Sequence, residues 1–95
     1  MPAYIIANVE VTDPVAYEEY RNQVPAIIAA HGGRYLARGG AAEVLEGDVA
    51  VNRLVILEFP DMARLKAFHT SAEYRPLINL RNKSAKSSLM AVEGV

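Results

Sequence analysis

Two glycine pairs, Gly32-Gly33 and Gly39-Gly40, bracket the short segment Arg34-Tyr35-Leu36-Ala37-Arg38. The first pair follows a long amphipathic helical pattern and reads as a helix stop and chain reversal. The second reads as a bulge or bend inside a sheet. An apolar strand pattern precedes the helix, so the opening is strand, helix, strand. The rest of the chain repeats that scheme.

The predicted elements follow from periodicity. From Tyr4 to Val11, the residues Ile5, Ala7, Val9 and Val11 form one face; Tyr4, Ile6, Asn8 and Glu10 form the other. Thr12-Asp13-Pro14 starts a helix, with Asp13 as cap and Pro14 at the first helical position. Tyr17, Tyr20, Val24, Ile27 or Ile28, and His31 recur at helical spacing. Pro25 falls inside this pattern and is expected to kink the helix or divide it.

Gly33 to Arg38 is predicted as a second strand, interrupted at Gly39-Gly40 and resumed from Ala42 to Leu45, with a turn at Glu46-Gly47-Asp48. Asn52 to Phe59 is a third strand. Pro60-Asp61 starts a helix with Met62, Leu65 and Phe68 inward, and Ser71 opens a further turn or two over Tyr74 to Arg81. Leu89 to Val92 is the last strand. The β-α-β-β-α-β order is the ferredoxin-like split arrangement, an α+β fold with both helices on one face of an antiparallel sheet. Residues 1–95 then make one domain.

A lone sheet of this kind wets its second face and should alternate apolar with polar residues. Tyr4-Ile5-Ile6-Ala7 and Leu54-Val55-Ile56-Leu57 are apolar on both faces. The composition, 52% hydrophobic, is rich for so small a chain. Both facts point to a second copy packed on the open face.

Several motifs resemble one particular family. They are the opening strand, the Thr12-Asp13-Pro14 start with Tyr17 and Tyr20, and Gly33 through Gly40. They also include Glu43-Val44-Leu45-Glu46-Gly47, Leu57-Glu58-Phe59-Pro60, Ser71-Ala72-Glu73-Tyr74 and Val92-Glu93-Gly94-Val95. The chain is similar over essentially its whole length to a bacterial domain of unknown function in the dimeric α/β-barrel superfamily. The resemblance implies a homodimer with its two sheets face to face. Related families include cofactor-independent monooxygenases, haem-degrading enzymes, muconolactone isomerase-like proteins and polyketide cyclases. The tryptophan and histidine that haem-degrading relatives commonly use have no counterpart here, since the chain has no tryptophan.

Strand parity suggests where chemistry resides. The faces Ile5/Ala7/Val9, Tyr35/Ala37, Val55/Leu57/Phe59 and Met90/Val92 are expected beneath the helices. Asn8, Arg38 and Glu58 then converge on the open face, near Ile6, Leu36 and Ile56, with the third strand between the first two. Such a cluster binds a small polar ligand or shuttles a proton. The structural reading, which residue types of this kind favour, is an Arg38–Glu58 cross-strand ion pair that fixes register and lines the interface. Tyr17 and Tyr20 either wall a pocket between helix and sheet or serve as core aromatics with polar tips. His31 suits a helix C-terminus. Glu58 and His69 are the candidate catalytic bases; a solvated surface role is the other reading of His69.

Other classes are set aside on residue types. Net charge is −1, from ten basic and eleven acidic residues, and no basic face is evident, so nucleic acid and anionic membranes are not expected partners. There is no cysteine, hence no disulfide or thiolate chemistry. Two isolated histidines give no metal motif, Gly39-Gly40 is not a phosphate loop, and no serine elbow exists. No leader pattern or long apolar run is visible, and a cytoplasmic setting is the default expectation. The reading is a homodimer that binds a small organic molecule without metal or cofactor, with turnover of that molecule left open. The competing class is a non-catalytic structural or regulatory binder.

Overall fold

The sheet order is β2-β3-β1-β4, antiparallel throughout, with three helices on one side. The computed structural model describes residues 1–95. Its elements are β1 (Ala3–Val11), α1 (Pro14–Ala30), β2 (Arg34–Arg38), β3 (Arg53–Phe59), α2 (Met62–His69), α3 (Arg75–Ser84) and β4 (Ala85–Glu93). This is the ferredoxin-like arrangement, its second helix divided into α2 and α3. No helix is long and apolar enough to cross a membrane.

Local chemistry sets the boundaries. Asp13 Oδ1 accepts the Ala16 amide at 3.2 Å and Pro14 occupies the first turn. At the other end the Gly33 amide donates to Ile28 O and the Gly32 amide to Ala29 O. That pairing is a Schellman motif, and Gly32 supplies its left-handed residue at φ +78. Asp61 caps α2 through the Arg64 amide at 2.8 Å. Ser71 separates α2 from α3: its hydroxyl donates to Phe68 O and accepts the Tyr74 amide.

Helix α1 neither breaks nor divides at Pro25. Proline removes the amide that would serve the Arg21 carbonyl, four residues back. The Arg38 guanidinium supplies the missing donor, Nη2 to Arg21 O at 3.2 Å. A side chain from the edge strand thus completes the helix ladder.

The core lies between the helices and one sheet face. Ile5, Ala7, Val9, Leu57 and Phe59 meet Tyr17, Tyr20, Val24 and Ile28 of α1, Leu65 and Phe68 of α2, and Leu77 of α3. Neighbouring ring centroids run from Phe59 to Phe68 (5.3 Å), Tyr74 (4.3 Å), Tyr20 (6.3 Å) and Tyr17 (5.4 Å). Each such aromatic pair adds about 0.5–1.5 kcal/mol beyond its burial.

Three strand expectations need correction. Met90 and Val92 do not lie beneath the helices: they pair with Ile6 and Tyr4 on the open face and are 57% and 48% exposed. The run Leu89-Met90-Ala91-Val92 is apolar at every position, so it carries no parity signal. Parity is set instead by Ala85, which leaves α3 directly and pairs with Val11. Second, β2 does not resume at Ala42–Leu45; residues 39–52 form an irregular connection. Gly39 turns the chain at φ +70. Asn8 then fastens the returning segment, donating to Ala50 O at 2.7 Å and accepting the Asn52 amide at 3.0 Å.

Third, the bulge is not at Gly39-Gly40 but inside β2. Tyr35 pairs with Leu57 and Ala37 with Ile56, leaving Leu36 as the extra residue. One added residue reverses the facing of everything after it. Arg34 therefore stands on the open face opposite Glu58, whereas Arg38, opposite Val55, stands on the helix face.

Candidate functional site

The bulge decides which side chains meet. Asn8, Arg38 and Glu58 do not converge, because Arg38 has moved to the other side of the sheet. Glu58 pairs with Arg34 instead, Nε to Oε1 at 2.7 Å, the one ion pair in the chain. Arg34 is 70% exposed, so this pair is worth at most about 1 kcal/mol. Asn8 is occupied by the 50–52 segment. His69 ends α2 at the surface, its ring 6.1 Å from that of Tyr74.

Tyr17, Tyr20 and Arg38 lie together on the helix side. They line a cavity of about 40 Å³ between α1, α3 and the sheet, along with Tyr35, Tyr74, Arg21, Arg53 and Arg81. Its remaining walls are aliphatic, apart from Phe68. None of Asn8, Glu58 and His69 reaches it. Arg21, Arg38 and Arg53 also line a separate surface pocket together with Asn22.

Each side chain has a local reason for its position. Tyr17, Tyr20, Val24 and Ile28 are the buried stripe of α1. Tyr74 and Leu77 lead into Arg81 at the same helical spacing, which puts a guanidinium on the inward stripe of α3. Arg53 precedes Val55, Leu57 and Phe59 on the buried parity of β3 and pairs with Val9. Gly39 lets it pass: a Cβ there would collide with the Arg53 guanidinium. The cation stacks weakly on Tyr17, 6.0 Å from the ring centre.

The polar core of the cavity is a chain of three groups. Arg81 Nη1 donates to the Tyr74 hydroxyl at 2.8 Å, and Tyr74 and Tyr20 share a hydrogen bond of 2.7 Å. Where Tyr74 donates to Tyr20, the Tyr20 proton is free for a cavity occupant. Burial raises both phenols above the ordinary value, Tyr20 strongly; Arg81 partly offsets the rise at Tyr74. Tyr35 is raised by burial as well. At neutral pH these hydroxyls are therefore protonated donors, not bases.

Arg21, Arg53, Tyr74 and Arg81 were not singled out from the sequence. A signal for two of them exists: Arg81 interrupts the apolar stripe of α3, and Arg53 the apolar parity of β3.

The same fold occurs in solved structures of low sequence identity. A protein of unknown function from Rhodopseudomonas palustris is 19% identical, with a TM-score of 0.79 over 99% of this chain and 82% of that one. SnoaB, a cofactor-independent oxygenase from Streptomyces nogalater, is 12% identical, with a TM-score of 0.68 over 99% and 93%. A dimeric ferredoxin-like protein of unknown function from Jannaschia sp. CCS1 is 15% identical, with a TM-score of 0.66 over 99% and 100%. No curated protein matches the chain in sequence. At the level of family models, residues 2–95 match DUF1330, a domain of unknown function, and the chain belongs to that family.

Proposed function

We propose that this protein is a homodimer that binds a small organic molecule in the cavity between α1, α3 and the sheet, one site per chain. The observation that carries the reading is the Tyr20–Tyr74–Arg81 chain of polar groups inside otherwise apolar walls. Apolar lining with a few converging donors is the usual composition of a ligand site. Tyr17, Tyr20 and Arg38 are the contact residues this reading keeps from the sequence. It does not use Glu58, His69 or Asn8. The direct test is a thermal-shift panel of metabolites on metal-free protein, with Tyr20→Phe as the site variant. A hit abolished by Tyr20→Phe supports the reading; no hit, or hits indifferent to Tyr20, sinks it.

The dimer rests on the open sheet face. Tyr4, Ile6, Leu54 and Ile56 are half-buried there, beside exposed Leu36, Met90 and Val92. An apolar face of that extent needs covering, and the Jannaschia neighbour is dimeric. Light scattering should give twice the chain mass at micromolar concentration. Ile56→Asp should dissociate or unfold the dimer, because an unpaired charge buried on that face costs several kcal/mol. A monodisperse, cooperatively melting monomer overturns this part.

Turnover of the bound molecule is a second reading. It is favoured by the protonated Tyr20 hydroxyl, a donor suited to an oxygen that gains negative charge in a reaction, and by likeness in fold to a cofactor-independent oxygenase. Turnover that survives a chelator and is lost in Tyr20→Phe supports it.

A further inference from the structure

The cavity holds positive charge that no group of the chain neutralises. Arg81 is 7% exposed, and its Nε has no hydrogen-bond partner. Arg53 Nε is likewise buried without a partner. No carboxylate lines the cavity. The single ion pair of the chain, Arg34–Glu58, lies on the other face of the sheet. Glu18, on the exposed side of α1, shares a separate surface pocket with Arg21 and Arg53 but forms an ion pair with neither. The one hydrogen bond from the Arg81 side chain goes to the Tyr74 hydroxyl, so no backbone carbonyl serves it.

A buried guanidinium is costly unless it is paired and its N–H groups are all used. Arg81 has one N–H on Tyr74 and distant contact with the Tyr20 ring, 6.0 Å from its centre. Its Nε is left without a protein acceptor. Resting on the reading that this cavity is the ligand site, we propose that its occupant is a short-chain monocarboxylate whose carboxylate pairs with Arg81.

Three features select that class. The guanidinium offers a planar fork of donors, which matches a carboxylate in two parallel hydrogen bonds. The volume of about 40 Å³ has room for roughly three water-sized groups, which limits the occupant to a short chain. The aliphatic remainder of the wall suits a hydrocarbon tail and disfavours a multiply charged, fully hydrated anion such as phosphate. Arg21, Arg38 and Arg53, which line both the cavity and a neighbouring surface pocket, set a positive field that draws an anion toward the cavity.

The experiment titrates the metal-free protein with propionate, propionamide and inorganic phosphate at matched ionic strength, read by calorimetry and by NMR of the tyrosine ring signals. The expected result is saturable binding of propionate that perturbs Tyr20 and Tyr74, with propionamide and phosphate at least tenfold weaker. Arg81→Met should weaken propionate about tenfold or more, the worth of a charge-assisted hydrogen bond. Arg53→Met, at a site less enclosed, should weaken it as well. Lys83→Met, an equal charge change on the exposed side of α3, should leave affinity unchanged. If propionamide perturbs the tyrosines as strongly as propionate, the cavity binds ligands but the carboxylate assignment is wrong. If Lys83→Met weakens propionate as much as Arg81→Met, the effect is general electrostatics and the assignment is again wrong. If none of the three compounds perturbs the tyrosines, the carboxylate assignment fails; the broader ligand-site reading then stands or falls on the metabolite panel.

Discussion

Replacing Arg81 by methionine should leave the ligand-free protein as stable as before, or more so. Arg81 is only 7% exposed, and a buried ion costs several kcal/mol even after the surroundings relax. Three interactions offset that cost. The hydrogen bond to Tyr74 at 2.8 Å is worth about 1.5–3 kcal/mol as a charged donor. The contact with the Tyr20 ring, at 6.0 Å, lies at the limit of useful range and adds about 0.5 kcal/mol. A cation in the last turn of α3 gains about 0.3–1 kcal/mol from the helix dipole. These sum to roughly 2–4.5 kcal/mol, close to the desolvation cost itself. Methionine fills similar volume with no charge, and Tyr74 keeps Tyr20 as partner. The expected change runs from zero to about 2 kcal/mol of stabilisation, by analogy with buried ions replaced by apolar residues. Urea unfolding followed by circular dichroism, in buffer free of carboxylates, measures it; each kcal/mol also moves the melting temperature by about 4–8 °C in a domain of this size. A loss of more than about 2 kcal/mol would refute the reasoning, because it is the signature of breaking a satisfied buried network.

Other outcomes follow from the same geometry. Pro25→Ala should restore an amide donor to Arg21 O and stabilise the helix by about 1–2 kcal/mol, once the entropy that proline removes from the unfolded chain is subtracted; in that background Arg38→Met should cost less than in the parent, and equal costs in a double-mutant cycle would count against the Arg38–Arg21 link. Gly33→Ala should destabilise by about 1–3 kcal/mol, since its Cβ would fall 2.6 Å from the Phe59 ring and 2.8 Å from Ile28; an unchanged urea midpoint would show that the ring yields freely. Stability should fall above about pH 10, where unfolded tyrosines ionise but Tyr20, Tyr35 and Tyr74 hold their protons in the folded state. The sign follows from proton counting: above that pH the folded state binds more protons, so rising pH favours unfolding. Tyr20→Phe should flatten the alkaline limb, as read by tyrosinate absorbance against the unfolding signal.

The fold was legible wherever a residue type has one physical use. Asp13-Pro14, Gly32 and Asp61 mark helix ends because capping and left-handed backbone admit few alternatives. Ile5, Ala7 and Val9 fix the parity of β1 because Asn8 and Glu10 alternate with them. Where apolar residues run unbroken, as in Leu89 to Val92, parity is invisible and Met90 and Val92 were placed on the wrong face. The candidate site was legible in part. Tyr17 and Tyr20 announce themselves by spacing, but Arg38 reaches their side only through the extra residue Leu36, which no local composition reveals. Arg53 and Arg81 are readable as charges on apolar stripes, but sequence alone does not say that nothing neutralises them.

The bulge at Leu36 has a consequence for how this chain can vary. A regular five-residue strand would aim Arg34 and Arg38, four positions apart, at the same surface. With the added residue, Arg34 addresses the open face and Arg38 the cavity. Substitutions at the two positions are thereby uncoupled: one retunes what the sheet packs against, the other what the cavity admits. Were the bulge ironed out, with Leu36 retained and paired into the ladder, Arg34 and Arg38 would share one face again, and a single change on β2 could then no longer adjust one role without disturbing the other.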